Sequence, residues 1–442
     1  MVAALVCATI GGLREPPASF GYFFARGQRV ASGGKAPESL AIGDLDGDGR
    51  PEIVVANYKS NTLAVLAKAS AGSYGVDYTL PTGLSPAGVV LADVDEDGRL
   101  DALASSVDSS RVDVLLNRSG RVQSSRQVPT GGAAYSLGVG DFTGDAHLDA
   151  VVTVDAPDDG RLTLLTGDGH GGFTATRLAS TPGVATDLDI GDLNEDGRPD
   201  VFATISPSGA TAIREIGLLA VLLSDAQGFA PLRLTRADDI DAATLSDVNR
   251  DGHLDSVLTS RGGGVVTLLG DGRGGWLRAK TVQPGWEGTG QPVLSDLDGD
   301  GALDLITGVS TTRELLVNLG VGTGQFRGRP SRYPVASFPD ALSLGDLNGD
   351  GHDDVVVGSD RSRIRILLAN TACRVPSLVG RDRSEATRRL SEGGCRLGRV
   401  ARANPRAGAP DTVVAQGTPA GKRLPLGAQV PIAVTPPRRS AG

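Results

Sequence analysis

The feature that most constrains this chain is a nine-residue phrase that recurs seven times. Each copy follows the pattern Asp-x-Asp/Asn-x-Asp-Gly-x-x-Asp, with some departures, between two apolar runs. The copies begin at Asp44, Asp93, Asp141, Asp192, Asp247, Asp296 and Asp346. Consecutive starts lie 49, 48, 51, 55, 49 and 50 residues apart. A fixed period of this length marks an array of supersecondary units, each burying its faces against its neighbours. In the first period, residues 39–42, 53–56, 62–67 and 76–80 form four short apolar runs separated by turn residues. In later periods the third and fourth runs are joined by a Gly-rich turn that ends on Phe173, Trp276 or Phe326. Four short strands per repeat is the pattern of a propeller blade. The high glycine content (62 residues) and scarce aromatics (4%) suit tight turns and argue against long helices.

The expected fold is therefore all-β, a seven-bladed β-propeller over residues 21–371. The seventh period supplies strands at 354–358 and 363–369 and then stops. Residues 24–33, FARGQRVASG, align with the fourth-strand segments of the other periods. An N-terminal strand should thus complete the last blade and remove the open edge.

The phrase has oxygen-bearing side chains at positions 1, 3, 5 and 9 and a turn-forming Gly at position 6. Positions 1, 3 and 5 match the first half of an EF-hand loop, where position 7 offers its backbone carbonyl. The candidate ligands follow loop by loop. They are Asp44, Asp46, Asp48, Arg50 and Glu52; Asp93, Asp95, Asp97, Arg99 and Asp101; Asp141, Thr143, Asp145, His147 and Asp149; Asp192, Asn194, Asp196, Arg198 and Asp200; Asp247, Asn249, Asp251, His253 and Asp255; Asp296, Asp298, Asp300, Ala302 and Asp304; and Asp346, Asn348, Asp350, His352 and Asp354. Those at position 7, Arg50, Arg99, His147, Arg198, His253, Ala302 and His352, would act through the carbonyl alone.

These positions hold 24 of the 52 acidic residues, which would repel one another at close range without a cation. Hard oxygen ligands in this number favour Ca²⁺ over Mg²⁺, so up to seven structural calcium ions are expected. Turn chemistry alone explains one Asp and one Gly per loop, not four oxygen positions in seven copies. The Asp93 and Asp296 loops are complete. The Asp192, Asp247 and Asp346 loops carry Asn at position 3, and the Asp44 loop ends on the longer Glu52. The Asp141 loop is the weakest, with Thr143 at position 3 and Ala146 in place of the Gly. Its histidine and those of two other loops are read as solvent-facing.

These repeats resemble the FG-GAP/VCBS repeats of integrin α-subunit propellers, over roughly residues 24–370. The resemblance implies calcium loops at one rim, stiffening each blade, and partners on the opposite face. Candidates for that face are Tyr58, Lys59, Trp286, Phe338 and the longest departure from the repeat, residues 205–217.

After residue 370 the pattern changes. Residues 372–436 carry a VP-x-LVG opening, a helix expected at 383–392 behind the capping-box-like Asp382-x-x-Glu385, and strands expected at 397–401, 412–416 and 429–434. This stretch resembles a single PASTA domain, a family linked to cell-wall or β-lactam recognition; a small stalk or anchoring domain is the alternative. Residues 437–442 are read as a disordered tail. Cys373 and Cys395 flank the helix and suggest a disulfide, with two buried free thiols as the alternative.

Net charge is −9, a poor match for nucleic acid. No apolar run reaches the length of a membrane span. Residues 1–13, within a signal-like stretch assigned to 1–20, have the length of a secretory h-region but lack a basic start and a clean cleavage site. An extracytoplasmic location, secreted or at the cell surface, is expected. No GxSxG, HExxH or Cys–His pairing is present, so the expectation is a non-enzymatic binding or adhesion module for protein or glycan. A structural spacer or wall-anchored scaffold is the main alternative, and a polysaccharide-active enzyme a lesser one.

Overall fold

A computed structural model describes residues 23–436 apart from 25–26, 70–71, 158, 208–215, 239, 261–263, 283–288, 328–329, 336–338, 340, 360, 404–409 and 426. The signal-like segment, the 437–442 tail, Trp286 and Phe338 lie outside these residues, as does most of 205–217.

Among the described residues the chain is all-β up to residue 374. Seven four-stranded antiparallel sheets follow one another, one per repeat. In the first, Pro37–Gly43 pairs with Glu52–Asn57, that with Thr62–Lys68, and that with Tyr74–Pro81. Each apolar run of the first period lengthens by one to three residues, because strand pairing extends past the apolar stretch that the sequence displays. The second strand of a sheet is buried along its whole length, as in Glu52–Asn57, Asp101–Ser106 and Asp304–Val309. It is covered by adjacent sheets on both faces, which explains its unbroken apolar character.

The last sheet has the order 342–345, 354–359, 363–367 and 28–31. Gln28–Ala31 runs antiparallel to Arg363–Leu367, with Val30 opposite Ile364 and Gln28 opposite Ile366. Seven separate apolar cores lie between successive sheets, and one of them joins Val30, Leu40, Ile53 and Leu66 to Ala341, Val356 and Ile366. The first sheet therefore packs on the seventh as it does on the second. The fourth sheet departs from the pattern by a two-residue ribbon, Ser224–Asp225 with Gly228–Phe229, inserted before its last strand.

Residues 372–436 form a separate small unit with its own core around Cys373, Leu378, Ala386, Leu390 and Val430. Its helix spans Arg383–Glu392. Asp382 caps it, accepting the Glu385 backbone N–H at 2.9 Å. Glu385 does not close the expected capping box, and instead pairs with Arg388 and Arg389. Arg396–Arg402 lies parallel to Gln429–Val434, which pairs antiparallel with Val413–Gln416. Cys373 and Cys395 are joined as a disulfide with their Cα atoms 5.1 Å apart.

Candidate metal centres

Each acidic loop connects the first and second strands of its sheet, so all seven stand at one rim. One backbone design is common to them. The position-6 N–H donates to the position-1 carboxylate in every loop, at 2.8 Å for Gly49 on Asp44 and 2.7 Å for Gly301 on Asp296. The position-7 N–H donates to the position-5 carboxylate in every loop, as Arg50 does to Asp48 at 2.9 Å. The position-2 N–H donates to the position-9 carboxylate in every loop, as Val94 does to Asp101 at 3.0 Å. The side-chain oxygens are thereby turned inward by the chain itself.

The position-9 carboxylates are the most buried acids of the rim: Asp101, Asp149, Asp200, Asp255 and Asp354 are wholly enclosed. Beyond the position-2 amide, six of them accept a second N–H from the far end of the third strand, such as Gly320 on Asp304 at 2.8 Å. Burial pushes the pKa up to about 6 for Asp101, Asp200 and Asp354, about 7 for Glu52 and about 8 for Asp304. A nearby cation would offset that cost.

The loops differ at position 3. Carboxylate oxygens of Asp44, Asp46 and Asp48 converge within 4.8 Å of one another, as do those of Asp93, Asp95 and Asp101 and those of Asp296, Asp298 and Asp300. In the second cluster Asp95 Oδ1 is buried with no hydrogen-bond partner, the condition a hard cation would relieve. Where position 3 is Asn, its amide turns onto a neighbouring carboxylate: Asn194 donates to Asp196 at 3.1 Å, Asn249 to Asp251 at 2.8 Å and Asn348 to Asp354 at 3.2 Å. In the third loop Thr143 offers only a hydroxyl, and Ala146 takes φ 72°, matching the 79–93° of the glycines at the same position. That left-handed conformation disfavours any residue with a Cβ. The donor sets of the first, second and sixth loops fit Ca²⁺ best.

Two features escaped the sequence reading. Position 4 is also left-handed in all seven loops, including Glu96 (φ 58°), Glu195 (φ 60°) and Arg250 (φ 65°). The glycines at 47, 144, 299 and 349 carried that signal. These non-glycine residues reach the following loop. Glu96 pairs with His147 Nδ1 at 2.5 Å, Glu195 pairs with His253, and Arg250 donates to the Asp300 carbonyl at 3.2 Å. His147 and His253 are thus inter-loop partners as well as partly solvent-facing, and their carboxylate partners raise their basicity. The second feature is arginine capping of the clusters: Arg118 contacts Asp95 at 2.7 Å and Asp97 at 3.3 Å.

At the opposite rim the first strands of all seven sheets surround an opening of about 530 Å³. Glu38, Ser39, Tyr135, Ser136, Asp187 and Gln291 give it a polar lining. Tyr58 is half-buried nearby on the loop after the second strand, Lys59 is exposed, and no aromatic side chain among the described residues is fully exposed. No helix among them is long and apolar enough to cross a membrane.

Comparison with known proteins gives consistent results. The family model described as FG-GAP-like repeat matches residues 44–104, 141–203, 247–307 and 296–357, together more than half of the chain. Among solved structures, the BBS1N chain crystallised in complex with ARL6DN and soaked with mercury is 11% identical. It is covered over 97% of its length by 79% of this chain, at a TM-score of 0.54. Raptor from Chaetomium thermophilum is 13% identical and matches 79% of this chain with 30% of its own, at a TM-score of 0.53. At such identities the likeness concerns the fold alone. No curated protein matches the chain.

Proposed function

The chain belongs to the FG-GAP-like repeat family, and from that premise we propose that it is a calcium-loaded, seven-bladed β-propeller that works outside the cytoplasm as a non-enzymatic binding module. Its small C-terminal unit is a PASTA-like domain. The observation that carries the calcium reading is the second loop, where three aspartates converge around a buried, partnerless oxygen of Asp95. Calcium would add the charge that the inward-turned carboxylates lack and stiffen each blade; Asp44, Asp46 and Asp48, Asp93, Asp95 and Asp101, and Asp296, Asp298 and Asp300 would hold it most firmly. With the metal confined to one rim, the polar opening at the other is left for a partner. BBS1N was crystallised in complex with ARL6DN, which makes a protein the first class of partner to test. The Cys373–Cys395 disulfide supports an oxidising compartment.

Equilibrium dialysis against ⁴⁵Ca²⁺ tests the metal, with at least three ions bound per chain expected. A protein and glycan array, run with calcium and with EDTA, tests the binding role. Absence of any calcium-dependent ligand would favour the spacer reading.

A further inference from the structure

One cation already sits on the sixth acidic cluster, and it comes from the other unit of the chain. The guanidinium of Arg396, at the start of a C-terminal strand, places one nitrogen 2.7 Å from Asp298 Oδ1 and 3.2 Å from Asp300 Oδ2. Those two carboxylates occupy positions 3 and 5, the side chains between which a calcium ion would lie. The same nitrogen also reaches the Asp298 carbonyl at 3.4 Å. The approach is close elsewhere: a Cβ on Gly427 would lie 2.6 Å from that carbonyl. Asp298 is consequently 9% exposed, whereas Asp46, at the same position of the first loop, is exposed. Beside the contact lies a cleft of about 260 Å³ lined from both units, by Asp298, Leu319 and Arg327 on one side and Thr387, Arg396 and Gly427 on the other. Arg250 also faces the cluster, on the Asp300 carbonyl at 3.2 Å and 3.9 Å from its carboxylate, and Arg327 lines the cleft beside Asp298.

We propose that calcium and Arg396 compete for Asp298 and Asp300, so that the docking of the C-terminal unit on the propeller is a calcium-controlled contact. An ion held at roughly 2.3–2.6 Å by both carboxylates leaves those oxygens little charge for the guanidinium and repels it directly. The covalent tether of the unit is the short stretch after the last propeller strand, which ends at Leu367, before its own first strand at Ala372–Arg374. Losing the Arg396 contact therefore lets it swing without unfolding either core. Low calcium holds the unit against the rim; high calcium releases it. Linkage makes the effect reciprocal: the factor by which docking weakens calcium binding equals the factor by which calcium weakens docking, on the order of 5- to 150-fold for couplings of this kind.

The inference rests on the calcium reading above, and the test separates the two. Nitroxide labels are placed on the full chain at Val321→Cys and Val379→Cys, both exposed, with Cys7→Ser to remove the other cysteine outside the disulfide. Their separation is measured by pulsed electron resonance during a calcium titration, in parallel with ⁴⁵Ca²⁺ dialysis of the same samples. The wild-type background should give one narrow distance in EDTA and a broad, displaced distribution in millimolar calcium. Arg396→Ala should be broad at every calcium concentration. Arg396→Lys, which keeps the charge but not the planar fork, should dock in EDTA and release at a calcium concentration at least 5-fold lower. Calcium bound with the distance unchanged would overturn this proposal alone, as would Arg396→Ala remaining narrow. No calcium bound would overturn both.

Discussion

The Asp304 carboxylate and the Leu297 backbone N–H, seven residues apart in sequence, meet at 3.0 Å, and the same contact recurs in every repeat. It makes the ninth residue of each loop an anchor for the loop's backbone as well as a neighbour of the proposed metal. Ligand counts alone would rank Asp149, in the defective third loop, as dispensable. Yet Asp149 accepts N–H groups from Phe142 and Thr143, both at 3.0 Å, and from Gly167 at 2.9 Å. An asparagine there must turn its NH₂ toward a backbone donor. Asp149→Asn and Asp304→Asn are both expected to lose about 1–3 kcal/mol in EDTA, the cost of a buried unsatisfied group. Only Asp304→Asn should also lose part of the stabilisation that calcium adds. Calorimetry of both variants with and without calcium distinguishes the two contributions. An equal calcium increment in both would mean that the sixth loop is not a site.

The raised pKa values of the same anchors set a pH dependence. Asp101, Asp200 and Asp354 lie at about 6, Glu52 at about 7 and Asp304 at about 8, against about 4 in an unfolded chain. Between those limits the folded form holds more protons than the unfolded one. The stability these groups contribute is therefore fully present near pH 4 and lost as pH rises through 6 to 8. His147 and His253, raised by Glu96 and Glu195, act in the same direction. In EDTA the melting temperature should be higher at pH 5.5 than at pH 8. The increment on adding calcium should shrink as pH falls from 8 to 5.5, because protons and metal compete for one set of oxygens. A melting temperature in EDTA that rises from pH 5.5 to pH 8 would contradict this account.

Much of this was legible because the repeat exposes its own grammar. Seven copies of one phrase place each acid at a fixed distance from a strand, so the rim loops and their order of completeness follow from counting. The closing strand was also visible, since residues 24–33 resemble the fourth strands of other periods. What could not be read was contact between repeats. Nothing in the sequence near Glu96 points to His147, 51 residues away, because that pair depends on the left-handed turn at position 4 and on how adjacent sheets stagger. Arg396 was hidden for a similar reason: its partner, Asp298, lies 98 residues earlier in a different unit.

The N-terminal strand makes a prediction about assembly. Gln28–Ala31 supplies the fourth strand of the last sheet, and Val30 belongs to the core between the seventh and first sheets. Just before it, the Phe23 N–H donates to the Tyr333 hydroxyl at 2.7 Å and the Phe24 ring packs edge-on against Tyr333 at 5.2 Å. Removing residues 1–33 leaves 363–367 as a bare edge strand, a template for pairing with another chain. The shortened protein should unfold at a lower temperature and associate in a concentration-dependent way by light scattering. Removing 437–442 should do neither. A monomeric 34–442 chain with the full-length melting temperature would refute it.

The third loop offers the most direct test of the metal assignment, because it is the one whose defects can be repaired. Ala146 holds φ 72° where the other six loops have glycine, a conformation costing an L-residue about 1–2 kcal/mol. Ala146→Gly removes that strain but enlarges the freedom of the unfolded chain, at roughly 0.4–1 kcal/mol. Its net gain should lie between about 0 and 1.6 kcal/mol and be independent of calcium. Thr143→Asp restores the missing carboxylate. Alone in EDTA it should not stabilise, since the Arg198 guanidinium beside Gly144 offsets only part of the negative charge it adds next to Asp141 and Asp145. Together the two changes reconstruct the pattern of the complete loops. The double variant should bind one more calcium ion per chain by dialysis. Its calcium-induced rise in melting temperature should exceed that of the wild type, since each added site stabilises the folded form by mass action. The loop backbone already presents the Asp141 and Asp145 oxygens through the Ala146 and His147 amides, so no rearrangement is required. An unchanged ion count in the folded double variant would show that a full set of oxygens at these positions does not make a calcium site in this chain.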